Sequence, residues 1–318
     1  SLLEQNYPQY EVIVINDGST DESEDVLNRF RQKYPNLYHT FIPQESKYLS
    51  RRKLSLTLGI KAAQYEHLLF IEANCRPLTA DWISTMVRHY DDATQIVVGY
   101  CAYTTEKNFF HKLVAYDNLM TGLQYLSSAL VGHPFSGNGR NLSYRKSLFF
   151  ARKGYSHSLT LHAGDDDLFV NEAATPDNTK VEYAAEGITE MAPIEYFAVW
   201  KEGKVSRAAT RSHYKGRQRY FYRFDAISCI GFSLSVIAAI AAGVCLDNPV
   251  TAAVAFLLYC GLYIIKARVV KHASILLKQK AFSFLLPFLE AARLFMGAYV
   301  IVYRAFRGKR DYTFTTNY

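Results

Sequence analysis

Residues 226–246, an apolar run without a single charge, restrict how this chain can fold more than any other stretch. A helix of roughly 20 apolar residues is long enough to cross a bilayer. Asp247-Asn248-Pro249 then makes a short turn, and residues 250–265 form a second apolar run, short for a span but workable. Lys266, Arg268, Lys271, Lys278 and Lys280 follow it, and a basic block at 201–223 precedes the first run. Positive charge flanks both outer ends of this hairpin while its turn carries only Asp, which places both outer ends on the cytoplasmic side.

A third apolar stretch, 281–303, is interrupted by Pro287, Glu290 and Arg293 and followed by Arg304, Arg307, Lys309 and Arg310. Charge on both sides favours a helix lying in the interface over a third span; the alternative is a helical bundle in which Glu290 and Arg293 pair. The sequence thus divides into an aqueous domain over 1–200, a basic amphipathic connecting segment over 201–225, a membrane region over 226–303 and a basic cytoplasmic tail over 304–318. The chain carries 36 Lys+Arg against 29 Asp+Glu, a net charge of +7. Clustered basic excess suits membrane lipids or an anionic ligand; no nucleic-acid-binding motif accompanies it, so no nucleic acid partner is expected. The five cysteines, Cys75, Cys101, Cys229, Cys245 and Cys260, form no CxxC pair, and three lie in apolar runs. They read as free thiols in a reducing compartment, forming neither a disulfide framework nor a zinc site.

In the aqueous part, residues 11–15 are a short β-branched run that ends at Asn16-Asp17-Gly18-Ser19-Thr20-Asp21. This reads as a buried parallel strand, a turn, and a helix over 23–34 capped by Ser19, Thr20 or Asp21. Ligands of such units sit at the carboxyl end of the strand, where Asp17 is placed to accept hydrogen bonds from a base or ribose; the plainer reading is an Asx-turn that shapes the loop. A helix over 51–64 opens with Arg51, Arg52 and Lys53, poor partners for its dipole, which face either an anion such as a diphosphate or solvent. Residues 67–71 form a second buried strand, ending at Glu72-Ala73-Asn74. A carboxylate and an amide two positions apart face the same side, as a hard oxygen-ligated cation would require.

Residues 96–100 read as a further strand and 109–130 as a helix. The glycine-spaced segment Ser136-Gly137-Asn138-Gly139-Arg140-Asn141 permits close approach of backbone, or is simply a turn before a strand. Then comes Gly164-Asp165-Asp166-Asp167, ahead of an apolar helix over 168–174. Three adjacent carboxylates repel one another; they suit a helix N-terminus, a nearby cation, or a proton to be removed. Lys204, Arg207, Arg211 and Lys215 recur at helical spacing on one face, against anionic lipid or a diphosphate.

The joint pattern Ser1-Leu2-Leu3-Glu4-Gln5-Asn6-Tyr7-Pro8 followed by Tyr10-Glu11-Val12-Ile13-Val14-Ile15-Asn16-Asp17-Gly18-Ser19-Thr20-Asp21 resembles the opening of a family 2 glycosyltransferase. Asn141-Leu142-Ser143-Tyr144-Arg145 resembles that family's Gly-x-Asn-Leu-x-Tyr-Arg segment. The resemblance implies an α/β fold of the GT-A (Rossmann-like) class over 1–200, lacking one strand–helix unit that normally precedes this point. It implies an inverting enzyme that moves a sugar from a nucleotide-sugar donor to a saccharide or lipid-linked acceptor, at the bacterial inner membrane with its catalytic domain cytoplasmic. It places Asp17, in the turn with Gly18 and Ser19, on the nucleotide, with Arg51 nearby, and Gly139 and Asn141 beside the sugars. It places Glu72 and Asn74 at the family's metal-binding Asp-x-Asp, where Mg2+ or Mn2+ is expected. This is a departure, because one anionic ligand has become a neutral amide. By position Asp166 is the catalytic base, with Asp167 as the fallback and Asp165 orienting the acceptor or a loop. Lys204-Val205-Ser206-Arg207 loosely resembles a Gln/Arg-x-x-Arg-Trp motif without the Trp, which puts Arg207, with Lys204, on the pyrophosphate. The rival reading is a non-catalytic nucleotide-sugar-binding membrane protein of the same fold.

Overall fold

A computed structural model describes residues 1–42, 50–104, 108–216, 220–280, 282 and 285–307. Lys309, Arg310, residue 281 and positions 217–219 of the connecting segment lie outside these. Strand β1 (Val12–Asn16) continues through the Asp-Gly-Ser turn into helix α1 (Ser23–Lys33) and returns as β2 (Leu37–Phe41), paired in parallel with β1. This is the expected strand–helix unit, closed by a strand the sequence reading does not anticipate, because Leu37-Tyr38-His39-Thr40-Phe41 has no continuous apolar run. Asp21 Oδ1 accepts from Ser23 N at 3.1 Å and so steadies the start of α1. Helix α2 (Arg51–Ala62), capped by Ser50, packs against β1.

A second sheet has the order β3-β7-β5-β8, from β3 (His67–Phe70), β7 (Leu142–Arg145), β5 (Ile96–Val98) and β8 (Thr179–Val181). Strand β7 runs antiparallel to both neighbours, pairing Leu142 with Phe70 and with Val98. The start of β7 therefore meets the carboxyl ends of β3 and β5, and that reversal carries the Gly137–Asn141 turn to the end of the sheet where Glu72 emerges. A third sheet, β4-β9-β6, is built from β4 (Cys75–Pro77), β9 (Thr189–Met191) and β6 (Cys101–Tyr103).

The strand expected over 96–100 stops at Val98 as β5, and the chain resumes at Cys101 as β6 in the third sheet. The chain bends at Gly99, whose N–H donates to the Asn141 carbonyl at 2.9 Å. A Cβ there would lie 2.6 Å from the Asn141 side chain, so no larger residue fits. The core gathers Ile96, Val98, Leu142 and Tyr144 of the second sheet with Leu119 and Tyr125 of α4 (Phe109–Leu130). Helices α3 (Trp82–Val87) and α5 (Lys146–Ala151) flank the sheets, and α6 (Asp167–Ala173) follows the acidic run.

Helix α7 (Phe197–Arg211) ends before Lys215, so the expected four-cation stripe is broken: Lys215 lies beyond the helix and pairs with Glu172 at 2.9 Å. The apolar hairpin is α8 (Phe221–Cys245) and α9 (Pro249–Leu276). Helix α9 outruns the apolar stretch, because Lys266, Arg268 and Lys271 favour helix as readily as the residues before them. Helix α10 (Leu286–Arg307) covers most of the third stretch. All three are long and apolar enough to cross a membrane. The five cysteines are free thiols in this structure.

Candidate active site

The carboxyl ends of β1 and β3, the turn before β7 and the N-terminus of α6 surround a cavity of about 550 Å3. Asp17, Arg52, Glu72, Asn74, Asp165 and Asp166 line its polar side, with Leu56, Phe70 and Tyr144 beneath. Residues predicted from widely separated stretches of the sequence therefore converge on one pocket.

Local geometry explains how the acidic run is held. Gly164 has φ +97°, and a Cβ there would stand 2.5 Å from Leu168 Cδ1, so the chain can turn into the run only through glycine. Asp166 caps α6: its Oδ1 accepts from Asp167 N at 2.7 Å and its Oδ2 from Gly139 N at 2.9 Å. Two backbone amides from separate elements fix this carboxylate at the pocket wall. Asp165 is buried and accepts from Arg52 Nε at 2.8 Å. Burial and then the charge of Asp166 raise its pKa, and Arg52 opposes both.

Asp167 turns the other way. Its Oδ2 accepts from Thr210 and, at 2.9 Å, from the Tyr214 hydroxyl, while Oδ1 accepts from Leu168 N at 2.8 Å. Burial, with Asp166 beside it, pushes its pKa up to about 6 against the pull of those hydroxyls and of Arg207. Asp167 thus ties the acidic run to the end of α7 and does not line the pocket, which places it poorly as a fallback base.

Below the run lies Lys53, buried in α2. Its ammonium donates to the carbonyls of Ser158, Leu161 (2.9 Å) and Ala163 (2.8 Å), and Ser50 Oγ donates to the His162 carbonyl at 3.0 Å. Burial lowers the Lys53 pKa to about 8, against the attraction of Asp165. The basic start of α2 is thus divided three ways. Arg51 Nε donates to Asp17 Oδ1 at 2.7 Å, Arg52 lines the pocket, and Lys53 anchors the loop that leads into the acidic run.

Glu72 is clamped from both sides. Arg52 Nη2 donates to its Oε1 at 2.8 Å and Arg140 Nε to its Oε2 at 2.7 Å. Burial would raise its pKa, but Arg140 and then Arg52 bring it down to about 2. Asn74 is exposed at the pocket, and its Oδ1 accepts from the Cys75 thiol at 3.4 Å. The Glu72–Asn74 pair does not fit a divalent cation: its one carboxylate accepts from a guanidinium group at each oxygen, and its companion is a neutral amide. Among the described residues, no group of three or more His, Cys, Asp or Glu could hold a metal.

Two further expectations are corrected. Asn141 has no accessible surface; its Nδ2 donates to the carbonyls of Tyr100 (2.8 Å) and Gly187 (2.7 Å), and its Oδ1 accepts from Trp82 Nε1 at 3.1 Å. Fully buried, with both amide N–H groups and its carbonyl oxygen engaged by the scaffold, it has no surface to offer a sugar. Lys204 donates to both oxygens of Asp117 on α4, at 2.6 and 2.8 Å, away from the pocket lining. Burial lowers its pKa to about 8, and Asp117 pulls the other way. Arg207, one turn before Thr210, lies near enough to Asp167 to influence its charge. Gly18 and Ser19 stay in the turn beside Asp17, where Ser19 N donates to Asn16 Oδ1 at 2.8 Å. The sequence reading gave Arg140 no role, because nothing local marks it as the partner of Glu72.

This α/β arrangement of strand ends around one pocket has the GT-A fold. The mannosyltransferase PcManGT from Pyrobaculum calidifontis, solved in complex with GDP-Man and Mn2+, shares this fold at TM-score 0.54 and 16% identity, over 94% of this chain and 78% of that one. Residues 1–149 match the family model described as "Glycosyl transferase family 2". "Putative glycosyltransferase EpsH" of Bacillus subtilis (strain 168) is 29% identical over 157 residues, 48% of this chain and 43% of that protein. A poly-beta-1,6-N-acetyl-D-glucosamine synthase of Staphylococcus epidermidis is 33% identical over 75 residues, 23% of this chain and 17% of that protein. The matched stretches thus cover less than half the length of these curated relatives.

Proposed function

We propose that this protein is a membrane-bound inverting glycosyltransferase. It moves a sugar from a nucleotide diphosphate donor to a hydroxyl of a saccharide or lipid-linked acceptor. The observation that carries this reading is Asp166, a carboxylate held at the pocket wall by Gly139 N and Asp167 N and facing the strand ends that carry Asp17 and Glu72. Asp17, oriented by Arg51, receives the nucleotide. Asp166 takes the acceptor proton as the acceptor oxygen attacks the anomeric carbon from the side opposite the diphosphate. Arg207, beside the acidic run, is a second cation for the departing nucleotide.

The membrane part suits an acceptor presented at the bilayer surface. Helices α8 and α9 pack mainly on each other and expose Leu234, Ile237, Val254, Phe256 and Leu257, as a lipid-embedded hairpin would. Helix α10 behaves differently. Arg293 reaches Asp117 of α4 at 3.4 Å, Arg304 donates to the Ala208 carbonyl at 2.7 Å, and Arg307 pairs with Glu202 of α7. Those contacts stretch along about 20 Å of helix. A helix fastened over that length to an aqueous domain lies in the interface, with Phe288, Phe295 and Phe306 turned outward to lipid. In this reading the catalytic domain sits on the cytoplasmic face, which the positive charge at the outer ends of the hairpin supports.

The test is transfer itself. Vesicles carrying the full chain are incubated with labelled nucleotide sugars and with saccharide and lipid-linked acceptors, and the anomeric configuration of the product is read by NMR. Label in an acceptor with inverted configuration is the expected result. Nucleotide binding without label transfer to any acceptor would favour a non-catalytic binder.

A further inference from the structure

Any diphosphate seated in this pocket needs a counter-charge, and the inference that follows rests on the glycosyltransferase reading. Glu72 and Asn74 occupy the strand end where a cation would be held. Glu72 presents no open lone pair on the sides its two arginines occupy, with Arg52 Nη2 at 2.8 Å from Oε1 and Arg140 Nε at 2.7 Å from Oε2. A hard dication binds carboxylate oxygens at about 2.0–2.6 Å. To reach Glu72 it would have to share an oxygen with a charge-assisted hydrogen bond, or displace it, and stand against a guanidinium group. Asn74 contributes no charge, and with its Oδ1 turned to the Cys75 thiol its amide N–H groups are left as donors at the pocket.

Arg52 is placed to do the work of a cation. It lines the pocket and is fixed at two points, to Glu72 on one side and to Asp165 at 2.8 Å on the other. Arg140 lies behind Glu72, and its backbone carbonyl is held by Thr189 Oγ1 at 2.9 Å. We propose that Arg52, locked between Glu72 and Asp165, is the resident counter-charge for the donor diphosphate, and that transfer proceeds without a divalent cation. Glu72 and Arg140 are positioning residues that aim Arg52. The amide of Asn74 donates to a phosphoryl oxygen. The step balances with these groups alone. A bond forms between the acceptor oxygen and the anomeric carbon, and the bond from that carbon to the phosphate oxygen breaks. Its electron pair leaves on the diphosphate, and the acceptor proton passes to Asp166. A guanidinium group remains charged at any pH the enzyme meets, so this counter-charge does not depend on a metal supply.

The experiment measures nucleoside diphosphate release from UDP- and GDP-sugars, and UDP and GDP affinity by calorimetry, on the full chain in vesicles. Each is run in excess EDTA and in Mg2+ or Mn2+. Rates and affinities within about threefold across these conditions are expected, less than 1 kcal/mol of difference. Arg52→Gln should lose ~100-fold or more in turnover, the scale of removing one preorganised donor, and Mn2+ should not restore it. Arg52→Lys should recover part of the loss, with thermal unfolding showing that both variants remain folded. Asn74→Asp, which returns a second carboxylate to the strand end, should make turnover rise with Mn2+. Turnover or nucleotide binding that vanishes in EDTA and returns with Mg2+ overturns the inference and leaves the transferase reading standing. Failure to bind either nucleotide under any condition overturns both.

Discussion

Asp167→Asn separates a structural carboxylate from the one proposed as the base within a run of three. In the wild type, burial and the neighbouring Asp166 hold the Asp167 carboxyl at about 6 against an ordinary 3.8. The native state therefore binds more protons than the unfolded chain between about pH 4 and pH 6. Stability from this group is complete below about pH 4 and lost as pH rises through about 6. At about 1.4 kcal/mol per tenfold, the cost at neutral pH is about 3 kcal/mol. Asparagine removes the charge. Its oxygen can keep the bond from Leu168 N, while its amide turns toward the Thr210 and Tyr214 hydroxyls, which can accept as well as donate. Imperfect geometry there offsets part of the gain, leaving a net stabilisation of about 1–2 kcal/mol and a rise of roughly 2–3 °C in Tm. The assay is thermal unfolding in detergent from pH 4 to 8, followed by tryptophan fluorescence. Relative to wild type the variant should be slightly destabilised near pH 4, where only the poorer hydrogen bonding counts, and the difference should climb to the net stabilisation by pH 7. Turnover should stay within about tenfold of wild type, since Asp167 only steadies its neighbour. A variant that is folded but inactive would make Asp167 the base, and one less stable at pH 7 than at pH 4 relative to wild type would refute the electrostatic argument.

Other perturbations probe the rest of the account. Lys53→Met strips three buried carbonyls of their donor and should cost about 3 kcal/mol or more, read as a fall in Tm together with protease cleavage between 158 and 166. Asn141→Ala should lower stability by about 2–4 kcal/mol while leaving nucleotide affinity of the folded fraction unchanged, because its partners are all scaffold groups. Tryptophan placed at Phe295 should be quenched best by lipids brominated near the headgroup, and tryptophan at Phe256 by lipids brominated near the bilayer centre. Deep quenching at position 295 would mean that α10 crosses the membrane.

Much of the pocket was legible in the sequence because its parts are local patterns. A β-branched run ending in Asp17, an apolar run ending in Glu72, and an acid-rich helix start at Asp166 each declare themselves within a few residues. Their partners do not. Arg52 meets Asp165 across 113 positions and Arg140 meets Glu72 across 68, the second pairing set by the reversed strand β7 beside β3. Helical spacing showed that Lys204 and Arg207 share a region of α7, but spacing cannot say what that face meets. Asp117 of α4 captures the first, whereas the second lies by the acidic run. Asn141 misled for a related reason: a polar residue in a glycine-rich turn looks like a ligand contact until the bend at Gly99 closes over it.

Asp166→Asn, compared with wild type and Asp167→Asn in vesicles, addresses the central claim most directly. The readout is nucleoside diphosphate release from a donor that wild type turns over in the presence of acceptor. Loss of the base should lower turnover by about 10²–10⁴-fold while nucleotide affinity is retained, and Asp167→Asn should remain active. Equal release from wild type and Asp166→Asn, with binding intact in both, would contradict the assignment of Asp166 as the group that takes the acceptor proton.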